Sequence, residues 1–229
     1  MLTFCPSLKN MRASFFALIA VWVAPFASLA QTTELEALAL VRTYLERHNA
    51  HDLNAVMALY ADDAVFTLSM GRGDVSGKAA IRDLEMFDVL AGSFLSPFGL
   101  QARRKDGGWV VDIGGVLESS RIFRAAGLPI VLADPVKTGF TLRNGKIAAI
   151  TQPEIRSACG AIILEAFQAL AAHLTETNDP RAMLVLGENE RLNLTPETLT
   201  LVIKLLNDSP IPSPSPSAQL ECALLDDQP

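Results

Sequence analysis

Apolar positions recur along this chain with two different periods, and the change from one to the other divides it. Leu35, Leu38, Val41 and Leu45 fall at helical spacing, with Ala37, Leu40, Tyr44 and His48 as the adjoining stripe, which predicts a first helix over 33–48. Asn49-Ala50-His51 breaks it. Asp52 then suits the N-cap of a second helix whose inward face is Val56, Leu59 and Tyr60, ending near Asp62-Asp63. Phe66, Leu68 and Met70 alternate with Val65, Thr67 and Ser69, the period of a strand. A loop over 71–77 follows, with Ser76 placed to cap a third helix through Ile81, Leu84 and Phe87.

From Phe98 the pattern is that of strands. The run 100–104 leads through an Asp106-Gly107-Gly108 turn into Trp109-Val110-Val111-Asp112-Ile113. Gly114-Gly115 predicts a bulge or sharp bend, which a strongly curved sheet requires. The strand then continues to Phe123, turns through 126–129 and returns over 130–142. Asn144-Gly145 is a strong hairpin signal, and the last strand is 146–151. Three helices followed by a four-stranded antiparallel meander make an α+β fold. Beyond Pro153 the helical period returns over 159–174, with Ile162, Ile163, Ala166, Phe167 and Leu170 on one side. It returns once more from Thr195-Pro196 to Leu206. These segments divide the chain into a domain over 31–152, a helical extension over 153–207 and a tail over 208–229. The tail opens on a Pro/Ser-rich stretch, 208–217, which reads as an extended, mobile linker.

The first 30 residues change the picture. Lys9 and Arg12 precede an apolar run over 15–23, and Ser28-Leu29-Ala30 carries the small residues of a cleavage site. This is the pattern of a secretory signal peptide cut after Ala30, its run shorter than the ~20 residues of a bilayer span. The expected protein is exported, periplasmic or secreted, with no stable membrane span after cleavage. Loss of Lys9 and Arg12 leaves 17 of 19 Lys and Arg against 25 Asp and Glu, a net of −8. Without a basic cluster, nucleic acid is excluded as a partner. Of three cysteines, Cys5 lies in the leader. Cys159 and Cys222 either pair, as an oxidising compartment permits, or stand as a buried thiol and a thiol on a loose tail.

The block 40–84 carries a family likeness: an amphipathic helix, the Asn-x-x-Asp-Leu turn at 49–53, Tyr60-Ala61-Asp62-Asp63-Ala64, a short strand, then Gly77-Lys78-Ala79-Ala80-Ile81-Arg82. In that order it resembles the NTF2-like superfamily, particularly its SnoaL-like and ketosteroid-isomerase-like branch. The resemblance covers about 35–150 and implies a cone, with N-terminal helices packed on a strongly curved, mostly antiparallel sheet around a pocket. Ketosteroid isomerases of this superfamily use a helix-1 Tyr, a proton-moving Asp and a protonated Asp on a late strand; that enzyme is a worked case of raised carboxyl pKa. Tyr44 stands at a place similar to the first. The second falls at Leu68 and the third at Lys137 or Thr138, so the isomerase machinery is not carried over.

Candidate chemistry beyond the resemblance is sparse. Tyr44 and His48 lie one turn apart on a helical face, suited to polarise a carbonyl, and Asp112 interrupts an apolar strand. These three are the candidate catalytic residues. Phe66, Leu68, Met70, Trp109 and Phe140 are the expected pocket lining. No metal site is expected, because His48, His51 and Asp52 lack further converging ligands and Asp52 serves as a cap. The glycine-rich 71–78 lacks the phosphate-loop spacing, and no serine sits in a nucleophile elbow, so no cofactor is expected. The expected function is a non-catalytic module holding a small apolar molecule, or pairing as a homodimer through its sheet. The alternative is an isomerase, dehydratase or cyclase of a steroid-, polyketide- or terpenoid-like substrate.

Overall fold

The computed structural model describes residues 33–68, 73–134, 139–187, 191–211 and 213–223. The predicted leader, Met70, and Lys137 and Thr138 therefore lie outside the described residues.

Helix α1 (Glu34–Asn49) opens on a reciprocal cap: the Thr33 hydroxyl accepts from the Glu36 N–H, and the Glu36 carboxylate accepts from the Thr33 N–H at 2.6 Å. Its buried face is Ala37, Val41, Tyr44, Leu45 and His48. Helix α2 (Leu53–Leu59) is capped by Asp52, which accepts from Ala55 N–H at 3.0 Å. It ends three residues earlier than Asp62, because Tyr60 already belongs to β1 (Tyr60–Thr67), where it pairs with Ile147. Ser76 is likewise taken by a strand, β2 (Asp74–Ser76), opposite Val65. The N-cap of α3 (Lys78–Ala91) is Gly77 instead, at φ 86°, a conformation glycine adopts without steric cost. Gly92 closes α3 in the left-handed region, with Ser93 N–H bonded back to the Asp88 carbonyl at 2.9 Å.

Strands β3 (Phe94–Phe98), β4 (Gln101–Lys105), β5 (Gly108–Asp112) and β6 (Gly115–Ser119) follow. The alternation starting at Phe98 missed β3, whose Pro97 demotes it in sequence. It is the end strand of its sheet, where a proline is tolerated. Gly114-Gly115 is the corner at which the chain leaves one sheet for the other: a Cβ on Gly115 would lie 2.3 Å from the Phe98 ring. The strand expected to reach Phe123 stops at Ser119. Ser120 then accepts from Phe123 N–H at 3.2 Å and starts α4 (Arg121–Ala125). The single strand expected over 130–142 is two, β7 (Val131–Asp134) and β8 (Gly139–Arg143), placed in different sheets. Strands β9 (Lys146–Thr151) and β10 (Glu154–Ile155) complete them, β9 entering through the Asn144-Gly145 turn with both φ angles positive.

The result is a six-stranded sheet ordered β2-β1-β9-β8-β5-β4 and a four-stranded sheet ordered β10-β7-β6-β3, rather than one meander. Every described pairing is antiparallel except β1 with β9. The fold is α+β, with N-terminal helix α1 packed on strands of two mostly antiparallel sheets. The main core joins α1, α2, α3 and the six-stranded sheet through Val41, Tyr44, Val56, Ile81, Val111 and Ile147.

The extension comprises α5 (Ser157–Glu176), α6 (Ala182–Val185), α7 (Pro196–Asp208) and α8 (Pro216–Ala223). Helix α7 packs on α3 and α4 rather than over the sheet, sharing a second core of Leu170, Leu174, Leu199, Val202 and Leu205. The tail is not a loose linker. Helix α8 lies against α5 and β7, and a Cys159–Cys222 disulfide joins it to α5. Around that bridge Leu128, Val131 and Ile163 form a third apolar cluster.

A candidate active site of buried acid and base groups

Tyr44 and His48 are one turn apart, and α1 presses that face against α3, where Glu85 and Asp88 are also one turn apart. Four buried side chains meet there: Tyr44, His48, Tyr60 and Glu85, none more than 4% exposed. The Tyr44 and Tyr60 hydroxyls both donate to Glu85 Oε1, at 2.9 and 2.6 Å. Glu85 Oε2 lies 3.3 Å from His48 Nδ1. A carboxylate at Nδ1 accepts a hydrogen bond from its N–H, which leaves Nε2 as the atom for outside partners. Nε2 is buried and has no hydrogen-bond partner among the described residues. A buried polar atom without a partner is uncommon in folded proteins and points to a role.

Two more carboxyl groups complete the cluster. One nitrogen or oxygen of each of His48, Glu85 and Asp88 lies within 4.8 Å of the others. Glu118 approaches from β6, its Oε1 accepting from Ser93 Oγ at 2.9 Å. The ring of Tyr44 is set by Phe140, edge-on at 5.1 Å, and by Tyr60, edge-on at 6.1 Å.

Burial controls the ionisation here. Loss of water lifts Asp88 to about 8; Glu118 and Glu85 repel its charge, while His48 opposes the rise. Burial also raises Glu118, against the Ser93 hydrogen bond and His48. For His48 burial favours the neutral ring. The Glu85 hydrogen bond and the charges of Asp88, Glu85 and Glu118 outweigh it, so its pKa is raised. Tyr44 and Tyr60 are held well above the ordinary tyrosine value, first by burial, and remain phenols. The site thus holds a carboxylic acid that changes charge near neutral pH, beside a histidine with one ring nitrogen unused. That is the equipment of general acid–base catalysis.

His48, Glu85 and Asp88 are also the described groups best placed to hold a cation. Glu85 already accepts from two phenols and the imidazole, so the cluster satisfies much of its own demand.

Of the three catalytic candidates read from sequence, the structure brings Tyr44 and His48 together and leaves Asp112 apart. Val111 and Ile113 face inward, so strand alternation turns Asp112 outward, where its half-exposed carboxylate accepts from Arg103 Nε at 2.6 Å. Among the pocket candidates Phe140 alone touches the cluster. Phe66 and Trp109 are half-buried against the main core, and Arg104 lies over the Trp109 ring at 5.3 Å. Leu68 is half-buried past the end of β1. Tyr60, Glu85, Asp88, Ser93 and Glu118 were not foreseen. A signal existed for two of them: Glu85 and Asp88 follow Ile81 at four and seven residues, and acids on a buried helical stripe call for a reason.

The SnoaL-like domain model matches residues 41–150. No curated protein matches the chain significantly. Among solved structures, the epoxide hydrolase/cyclase-like enzyme SalBIII, from pyran ring formation in the polyether salinomycin, is 21% identical. The alignment covers 55% of this chain and 95% of SalBIII, with a TM-score of 0.42. An NTF2-like protein from Burkholderia xenovorans is 15% identical, over 57% of this chain and 96% of its own, with a TM-score of 0.43. Residues 41–150, just under half of the chain, thus match the SnoaL-like domain, the branch that the block 40–84 resembles.

Proposed function

We propose that the SnoaL-like domain is an acid–base enzyme that moves a proton on a small, mostly apolar molecule bearing an oxygen function. An isomerase, dehydratase or cyclase of a steroid-, polyketide- or terpenoid-like substrate fits this description. One observation carries the reading: His48 keeps a buried Nε2 without a partner, while Glu85 holds its other nitrogen and Asp88 lies alongside. A base oriented by a carboxylate, with its second nitrogen left for substrate, is the arrangement nucleophilic and acid–base sites share. In this reading protonated His48, the form its raised pKa favours, donates from Nε2–H to the substrate oxygen, and the Asp88 carboxylate takes the proton from one carbon and returns it to another. Tyr44 and Tyr60 position Glu85. The non-catalytic alternative supposed an interior poor in titratable groups; buried Glu85 and His48, with half-buried Asp88 and Glu118 beside them, favour the catalytic reading.

The test uses a β,γ-unsaturated ketone as model substrate, following conjugation by absorbance and deuterium uptake from D2O by mass. The expected result is turnover that rises through about pH 8 and falls by about 100-fold or more in His48→Gln and Asp88→Asn. Wild-type rates indistinguishable from both variants would overturn the assignment.

We also propose export. The Cys159–Cys222 bridge supports it, because structural disulfides persist mainly in oxidising compartments. Detection of the chain in a periplasmic or culture fraction, beginning at Gln31, is the expected outcome; an intact residue 1–30 segment on cytoplasmic protein would refute it.

A further inference from the structure

Helix α5 is apolar enough over its 20 residues to cross a bilayer by length and composition, yet only 28% of its apolar window is buried. Leu164 on its outer side is 56% exposed, and Met183 and Leu184 of α6 are exposed too. Beside this surface lies a cavity of about 340 Å³, outside the SnoaL-like domain and away from the cluster around His48. Leu164, Phe167 and Ala171 line it at positions i, i+3 and i+7 of α5, and Leu192 faces them. Leu192 is held in place by its bridge to Leu186, and Gly187 N–H donates to the Arg191 carbonyl at 2.8 Å. The polar lining consists of Gln168 and Arg191. Arg191 makes no ion pair among the described residues.

We propose that this cavity binds a medium-chain amphipathic carboxylate, independently of the chemistry around His48. The apolar wall receives the chain. The Arg191 guanidinium, assisted by the Gln168 amide, receives the carboxylate, which is the anion that a planar guanidinium matches with two parallel hydrogen bonds. Size agrees: small-molecule pockets start at roughly 300 Å³, which admits one medium-length chain. Charge sets the selectivity, since an alkylammonium of equal length meets a like charge at the mouth.

The experiment uses the full chain with dansyl-labelled undecanoate as fluorescent probe, below its micelle concentration. Laurate, dodecanol and dodecylammonium compete for it. Laurate is expected to displace the probe about tenfold better than dodecanol, as the loss of one charge-assisted hydrogen bond requires. Dodecylammonium should displace it least. Arg191→Gln should weaken laurate about tenfold and leave dodecanol unchanged. Leu164→Glu, at a largely exposed position of the lining, should abolish probe binding without lowering Tm. Three outcomes overturn the proposal: no probe binding, equal binding by both variants and wild type, or binding only to phosphatidylcholine vesicles with none to monomeric laurate. Turnover at His48 is read separately and decides nothing here.

Discussion

The interior of the SnoaL-like domain and the corner where the tail meets α5 are both buried, but they are filled by opposite means. Around the α1–α3 contact the protein buries a carboxyl group, a histidine and two phenols, with the half-buried Asp88 and Glu118 beside them, all competing for few partners. At the corner it encloses Leu128, Val131 and Ile163 around a disulfide, and the Gln219 amide donates to the Gly127 carbonyl at 3.0 Å. Apolar burial with a covalent link adds stability; enclosed ionisable groups with unfinished hydrogen bonding subtract from it. The difference teaches where each part is used. On the proposed acid–base reading, the extension supplies stability that the domain interior gives up for chemistry.

The largest expected effect breaks the corner. Replacing Cys159 and Cys222 by Ala frees a loop with a separation of 63 residues, and stability should fall by about 4 kcal/mol on the chain-entropy account. Urea unfolding measures this, and equal midpoints with and without reductant would show that the bridge does not hold the tail. Next comes Glu85→Leu in the domain. It strands two phenol O–H groups and an imidazole N–H together, at a cost of about 3 kcal/mol. A change below 1 kcal/mol, taken as roughly one hydrogen bond, would mean those contacts are not made in solution.

The pH response sharpens the comparison because the domain interior carries raised pKa values near neutral pH and the disulfide corner carries none among the described residues. Asp88 binds its proton at about 8 when folded against a model value of 3.8, so between these values the native state holds a proton the unfolded chain has lost. Stability therefore declines as pH rises from about 4 towards about 8. Raised Glu118 acts in the same direction. Raised His48 does too, its contribution being present below the unfolded value of 6.5 and lost as pH passes the folded one. Asp88→Asn should flatten much of this slope in a series of thermal melts; an unchanged slope would locate the titration elsewhere. The smallest effect belongs to Asp112→Asn. Its partner Arg103 is half-exposed and the pair is screened by water, so Tm and turnover should both stay at wild-type values. A loss of turnover would return Asp112 to the site.

How much of this was legible in the sequence varied element by element. The α1 face was fully readable, because Val41, Tyr44 and His48 keep one period and their helix contacts the core on one side only. The turns at Asp106-Gly107 and Asn144-Gly145 were readable because positive φ demands those residues. Strand β3 was hidden by Pro97, which is permissible only because β3 ends its sheet. The tail was misjudged, since proline and serine content describes a chain with nothing to dock against. Here Pro214 closes on Gly127, where a Cβ would lie 2.4 Å from its ring, and Cys222 is bridged to α5. In the site, Tyr44 and His48 were visible as neighbours on one helix. Glu85 and Glu118 were not, because they are 37 and 70 residues from His48 and share no local pattern with it.

By itself the sequence determined what local chemistry can decide: helix caps, hairpin turns, the alternation that turns Asp112 outward, and the division into helices, sheet and helical extension. Only the tertiary structure decided which ionisable groups lose their water and which partners they meet. Ionisation depends on through-space distance and burial, and neither is written in the spacing of residues along a chain.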